Sequence, residues 1–168
     1  MYTDSAYHYT YTTDAQGRPR VAQAVPLLSG SGNRQPCQTT VGGWGGTGYD
    51  GGHLIADSFG GVTQRYNLVP MPAKLNRPGG LFYKFEDAAR GCLKTSHTTV
   101  TLYHVGVTYP STITVIPSSY RMRMEIRDKH HKFRTIDVTM PEKPTDAQWV
   151  KIESEIEATR HLAGCQAG

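Results

Sequence analysis

The segment Tyr120-Arg121-Met122-Arg123-Met124-Glu125-Ile126 alternates apolar or aromatic with charged side chains and does not break step. Successive residues of a strand point to opposite faces, so this period of two predicts a strand with one face in a core and the other in water. Such a strand needs partners, and the chain supplies them. His97 to Tyr109 carries Val100, Leu102, Tyr103, Val105 and Val107, and Thr112 to Ile116 is expected to continue the pattern. Phe133 to Val138 returns after a hairpin tip at Asp128-Lys129-His130-His131-Lys132. Tyr7, Tyr9 and Tyr11 alternate with polar residues ahead of turn chemistry at Asp14 to Pro19, and Val21 to Leu28 is the expected return strand. Residues 7–28 therefore read as a hairpin.

Two stretches change period. Gly80 to Leu93 puts Leu81, Phe82, Phe85, Ala89 and Cys92 at helical spacing. Thr145 to Gln148 is a capping-box start, and the helix it opens runs to about residue 162 with Trp149, Ile152, Ile156 and Leu162 inward. A chain of 168 residues fits one domain, and the expected class is α+β, an antiparallel sheet-centred single domain with two main helices. Its 18 glycines and 10 prolines call for many turns. Ser29 to Gly48, with Gly42-Gly43-Trp44-Gly45-Gly46, reads as a loop. Trp44 within it is either an anchor in the core or an aromatic left exposed for a base to stack on.

No apolar run approaches the ~20 residues of a membrane-spanning helix. The start, Met1-Tyr2-Thr3-Asp4-Ser5, lacks the basic and apolar regions of a signal peptide, so any export is expected to use another carrier. Cys37, Cys92 and Cys165 are too few and too widely spaced for a disulfide framework or a zinc pattern. They read as free thiols, with one disulfide and one spare thiol as the alternative. The net charge of +4 is a mild bias toward polyanions. Between Arg121 and Arg134 six basic residues face only Glu125 and Asp128, a run that flanks a substrate path or forms a solvated sheet face.

The chemistry concentrates between Asp50 and Asp87. Asp50-Gly51-Gly52-His53 offers a histidine that can take a proton from water near neutral pH. Asn76, at the mouth of the predicted helix, offers a neutral amide oxygen suited to a divalent cation that keeps most of its waters, and it is also a reasonable helix cap. Glu86 places a carboxylate inside that helix. Together these groups fit metal-assisted phosphodiester hydrolysis. The glycines before His53 are expected to let a bulky polyanion approach. His130-His131 reads as a solvated turn, and His97 and His104 as structural.

At these positions the chain resembles the DNA/RNA non-specific endonuclease family of the ββα-metal (His-Me finger) superfamily. The family motif Asp-Arg-Gly-His stands here as Asp50-Gly51-Gly52-His53. Leu54-Ile55-Ala56-Asp57-Ser58-Phe59-Gly60-Gly61, Asn67-Leu68-Val69-Pro70-Met71 and Leu75-Asn76-Arg77 look like its bacterial polymorphic-toxin C-terminal branch. The opening Tyr9-Thr10-Tyr11-Thr12-Thr13-Asp14 resembles that branch's first hairpin, so the likeness covers roughly residues 7–127.

The resemblance implies a ββα-metal core at about 45–95, followed by strands at about 97–138 and the C-terminal helix at about 145–162. It implies that His53 is the general base and that Asn76 holds a Mg²⁺-like ion, Mn²⁺ being the natural substitute. Glu86 would orient metal-bound water, and Asn67 would be a supporting polar residue of undefined role. The family arginine is replaced by Gly51, so Arg18, Arg20, Arg34, Arg65 and Arg77 are candidates for the missing cation. Of these, Arg65, Arg77 and Arg18 are the expected phosphate contacts. The implied activity is a metal-dependent endonuclease acting on DNA, with RNA as a further substrate and little sequence preference. The implied setting is the toxin module of a secreted or injected antibacterial effector acting in the target-cell cytoplasm and neutralised by an immunity protein. The alternative that Gly51 supports is an inactive nucleic-acid-binding module of the same fold. A third class is an interaction domain with neither binding nor cleavage.

Overall fold

A computed structural model describes residues 1–32 and 35–168. The alternating segment becomes β7, Ser119–Arg127, with Tyr120, Met122, Met124 and Ile126 fully buried. It lies between β6, Thr99–Thr108, and β8, Phe133–Pro141, both antiparallel to it. In β6 the buried residues include Val100 and Tyr103, an odd step apart, and a bulge between Val100 and Leu102 restores the phase. The sheet continues through β3, Pro19–Ala24, and β2, Thr10–Thr13, to a short edge strand β1, Tyr2–Thr3. The hairpin expected over residues 7–28 is present. Its strands are shorter, and Gly17 takes the left-handed φ of 75° that its turn requires. The expected strand at Thr112–Ile116 does not form. Ile113 there is 92% exposed, and the loop is instead tied down where the Arg18 guanidinium donates to the Ser111 and Thr114 carbonyls.

A second, two-stranded sheet carries the motif residues: β4, Tyr49–His53, pairs antiparallel with β5, Leu68–Pro72. After β5 come a one-turn helix α2, Ala73–Asn76, and α3, Leu81–Lys94. The apolar face of α3 seats Phe85 against Tyr103 (ring centroids 5.2 Å) and Phe82 against Tyr120 (5.9 Å). Each buried phenyl ring contributes about 1.5–3 kcal/mol, which fixes α3 onto the large sheet. The last helix, α4, Asp146–Leu162, has the expected reciprocal cap between Thr145 and Gln148, and Ile152 and Ile156 face inward. Leu162 is 64% exposed, contrary to expectation, because it lies in the final turn beyond the packed stripe.

Two more expectations are corrected. Residues 37–45 are not loop but a helix, α1, Cys37–Gly45. Its glycines argue against a helix on propensity, but Gly42 lets it press onto β4: a Cβ there would meet the Gly51 nitrogen at 2.7 Å. Cys92 and Cys165 form a disulfide that fastens the C-terminal tail to α3, and Cys37 is the free thiol. The basic run resolves as a sheet face. Arg121 pairs with Asp137, Arg123 with Glu125 and Arg134 with Asp128.

Candidate active site

An open cleft of about 1070 Å³ lies between α1, β4 and the α2–α3 segment. His53, Asn76, Glu86 and Arg77 all line it, with Asp50, Asp57, Tyr49, Tyr83 and Arg90. Residues distant in sequence meet here because β4 ends at His53 while α3 brings Glu86 and Arg90 up from the opposite wall.

His53 is only 8% exposed, and its Nε2 lies 3.0 Å from the Thr63 hydroxyl, which fixes the ring plane. Asn67 is wholly buried and does not line the cleft. Its side chain accepts from the Ile55 amide and donates to the Ile55 and Val62 carbonyls, each at 2.9 Å. It pins the loop that follows His53 from inside the fold. Asn76 closes α2 and caps no helix; the residue capping α3 is Gly80. The Asn76 amide nitrogen donates to Asp50 Oδ2 at 3.1 Å, so the amide oxygen is the atom it can offer a hard cation.

The electrostatics divide the carboxylates. Asp50 accepts a fork from Arg77, Nε at 3.0 Å and Nη2 at 2.8 Å, and this contact holds its carboxyl below the ordinary range despite partial burial. Glu86 goes the other way. Burial pushes it up to about 8, with Asp57 and Asp87 adding to the rise and Arg90, at 3.8 Å, opposing it. Burial thus outweighs the Arg90 guanidinium and favours the neutral carboxyl of Glu86. Tyr49 on the rim donates to Glu142, and burial together with that carboxylate pushes it up to about 12.

The arginine candidates separate. Arg77 lines the cleft. Arg18 does not: Asp14, two carbonyls and the Tyr109 ring engage its guanidinium. Arg65 lies across α1, its guanidinium 4.9 Å from the Trp44 ring centre, and Arg20 is exposed on β3. Arg34 lies outside the described residues. The sequence reading passed over Arg90, which packs over Tyr83 at 4.8 Å and faces the cleft one helical turn after Glu86. The four-residue spacing from Glu86 was the available signal.

Gly51 has a reason the sequence reading missed. A Cβ there would lie 2.0 Å from the Gln38 carbonyl oxygen of α1, and one at Gly52 would lie 2.8 Å from Met71 Cβ. Protein, not polyanion, uses the room these glycines leave. The arginine absent at Gly51 has therefore given its place to a helix wall, while Arg77 and Arg90 supply positive charge in the same cleft.

Among the described residues no three His, Cys, Asp or Glu side chains gather as a metal cage. The donors present are oxygens on a cleft wide open to water. They fit a hard divalent ion held by few protein atoms and many waters.

Comparison with known proteins fits this arrangement. Residues 2–128 match the sequence model described as DNA/RNA non-specific endonuclease. Among solved structures, the chain is similar to NucA from Streptococcus agalactiae with magnesium bound, at 20% identity and a TM-score of 0.62 over 86% of this chain and 75% of that one. The metal-free NucA structure gives 21% identity and a TM-score of 0.59 over 81% and 71%. A protein described as an extracellular endonuclease gives 17% and 0.57 over 85% and 83%. These likenesses establish the shared fold.

Proposed function

The chain belongs to the DNA/RNA non-specific endonuclease family and is thus a nuclease, and from that premise we propose that it is a metal-dependent, sequence-tolerant endonuclease of DNA, with RNA as a further substrate. The observation carrying this is the convergence of His53, Asn76, Glu86, Arg77 and Arg90 on one open cleft.

In this reading His53, oriented by Thr63, accepts the proton of the attacking water. Arg77 and Arg90 face the phosphate and offset the charge that develops on its oxygens. Asp50 steadies both Arg77 and the Asn76 amide. Glu86 holds water on the same wall through its carboxyl. Asn76 is the residue to hold a Mg²⁺ or Mn²⁺ ion, which when bound supplies Lewis-acid stabilisation of the phosphate and the leaving oxygen. Phosphate contacts dominate binding, so affinity falls steeply with salt.

The wider setting rests on the resemblance over residues 54–77. There the domain is the toxin module of a secreted or injected antibacterial effector, acts in the target-cell cytoplasm and is held silent by an immunity protein. The Cys92–Cys165 disulfide supports passage through an oxidising compartment.

The test is plasmid nicking with Mg²⁺, with EDTA, and with His53→Ala whose fold is checked by circular dichroism. Loss of cleavage in both controls is expected, His53→Ala costing roughly 10²–10⁴-fold. Full activity of folded His53→Ala would overturn the mechanism. The toxin setting is tested by co-purification with the product of the adjoining reading frame, which should inhibit nicking.

A further inference from the structure

The wall that replaces the family arginine has a second side. Helix α1 lines the catalytic cleft with Gln38, Thr39, Gly42 and Gly43, while Trp44, the next residue, points into a separate hollow. That hollow is shallow, about 60 Å³, and its walls include Arg65, Pro70, Tyr109 and Val115. Trp44 is 41% exposed, with the Arg65 guanidinium stacked against one part of it. Among the described residues Arg65 has no carboxylate partner, and neither α1 nor the lining of the hollow carries an acidic side chain. A flat, electron-rich, anionic guest meets no repulsion there.

Gly43 gives an independent indication. A glycine inside a helix costs about 1 kcal/mol relative to alanine, a cost usually offset where something presses against the bare backbone. At Gly42 and Gly45 protein atoms do so, but a Cβ on Gly43 would meet nothing within 4 Å. The bare position lies between the cleft and Trp44, on the rim a chain would cross. No packing demand of the fold accounts for it, whereas a strand passing over α1 does.

We propose that Trp44 and Arg65 form a nucleotide subsite that takes one unpaired base of the substrate strand, after the strand leaves the catalytic cleft across Gly43. The base stacks on the indole and Arg65 meets the adjoining phosphate. This deepens the nuclease reading and rests on it for the identity of the guest. Stacking tolerates any base, so the subsite favours single-stranded over duplex nucleic acid without selecting a sequence.

The experiment has two arms, one of which needs no catalysis. In EDTA, a non-cleavable phosphorothioate oligothymidylate is titrated while tryptophan fluorescence is followed in wild type and in Trp44→Phe, which leaves Trp149 as the sole reporter. Quenching in wild type that Trp44→Phe lacks is expected. In the second arm, with Mg²⁺, Trp44→Ala should raise KM for a single-stranded oligonucleotide about 10-fold, with most of the change in KM and not kcat, and lower the single-strand to duplex preference. Trp44→Phe should restore both. Identical quenching in wild type and Trp44→Phe, or a Trp44→Ala enzyme with wild-type KM and strand preference, would overturn the subsite. A wild type that binds with quenching but never cleaves would refute the nuclease mechanism and leave the subsite standing.

Discussion

The large sheet and the small finger obey opposite rules of packing. In β6, β7 and β8 every inward position is filled by a side chain such as Tyr103, Met122 or Ile136, and stability comes from apolar volume. In the finger, the small unit of α1 and the β4–β5 sheet, α1 and β4 meet through Gly42 and Gly51, where the main chain itself makes the contact. Beside that contact stand polar groups that line the cleft: Asp50 and His53 on β4 and Asn76 at the end of α2. One region is held by what its residues add, the other by what they omit. Substitutions that add atoms should therefore hurt the finger most.

Gly51→Arg, which restores the residue of the family motif, is the most severe case. Its Cβ would enter the Gln38 carbonyl, which belongs to a helix backbone and cannot rotate aside. We expect destabilisation of about 3 kcal/mol or more, read as a fall in the denaturant midpoint, with nuclease activity lost together with α1. Gly43→Ala is the control: with open space around it, it should hold stability or gain up to about 1 kcal/mol. If Gly51→Arg kept wild-type stability, α1 would not be the structural replacement for the arginine.

Glu86→Gln sharpens the contrast within the cleft. Burial raises the Glu86 carboxyl to about 8 in the folded chain, against the model-peptide value of 4.5 that the unfolded chain approaches. Over that interval the folded state binds the extra proton, so this group's contribution to stability is complete below about pH 4.5 and is lost as pH rises through about 8. The neutral amide removes the dependence. Metal-free Glu86→Gln should match wild type near pH 5 and exceed it in melting temperature near pH 9, while nuclease activity falls. Equal melting curves at both pH values would show that Glu86 is not held neutral by its burial.

The two regions also differed in how much of them the sequence disclosed. The sheet could be read because alternation is a local signal: Met122, Met124 and Ile126 declare their common face without reference to any partner. The helix over residues 81–94 declared itself through Phe82, Phe85 and Ala89 in the same way. Helix α1 gave no such sign, since its formation depends on the bare backbone of Gly51, a contact between segments that pattern cannot express. The disulfide likewise depends on the tail crossing α3, which brings Cys165 beside Cys92 from 73 residues away. The assembly of His53, Asn76 and Glu86 on one cleft was anticipated through resemblance, but Arg90 was passed over because an arginine four residues after a glutamate usually marks an ordinary helix surface pair. The separation of Arg18 and Arg65 from the cleft is a tertiary fact with no local trace.

Thr63 tests the finger's economy at its finest grain. Its hydroxyl is the contact seen on His53 Nε2, at 3.0 Å, and its backbone carbonyl also receives the Cys37 thiol of α1. Thr63→Val keeps the shape and buries no new volume, so the fold and α1 should stay in place. What it removes is one hydrogen bond that fixes the imidazole plane, worth about 1 kcal/mol. The expected result is a fall in kcat of roughly 5- to 10-fold with KM for DNA nearly constant, since Thr63 does not line the cleft and the proposed phosphate contacts are arginines. Thr63→Ser should recover most of the rate, because serine restores the hydroxyl without the methyl. If Thr63→Val instead lowered the melting temperature and left kcat unchanged, the hydroxyl would serve the loop and not the histidine.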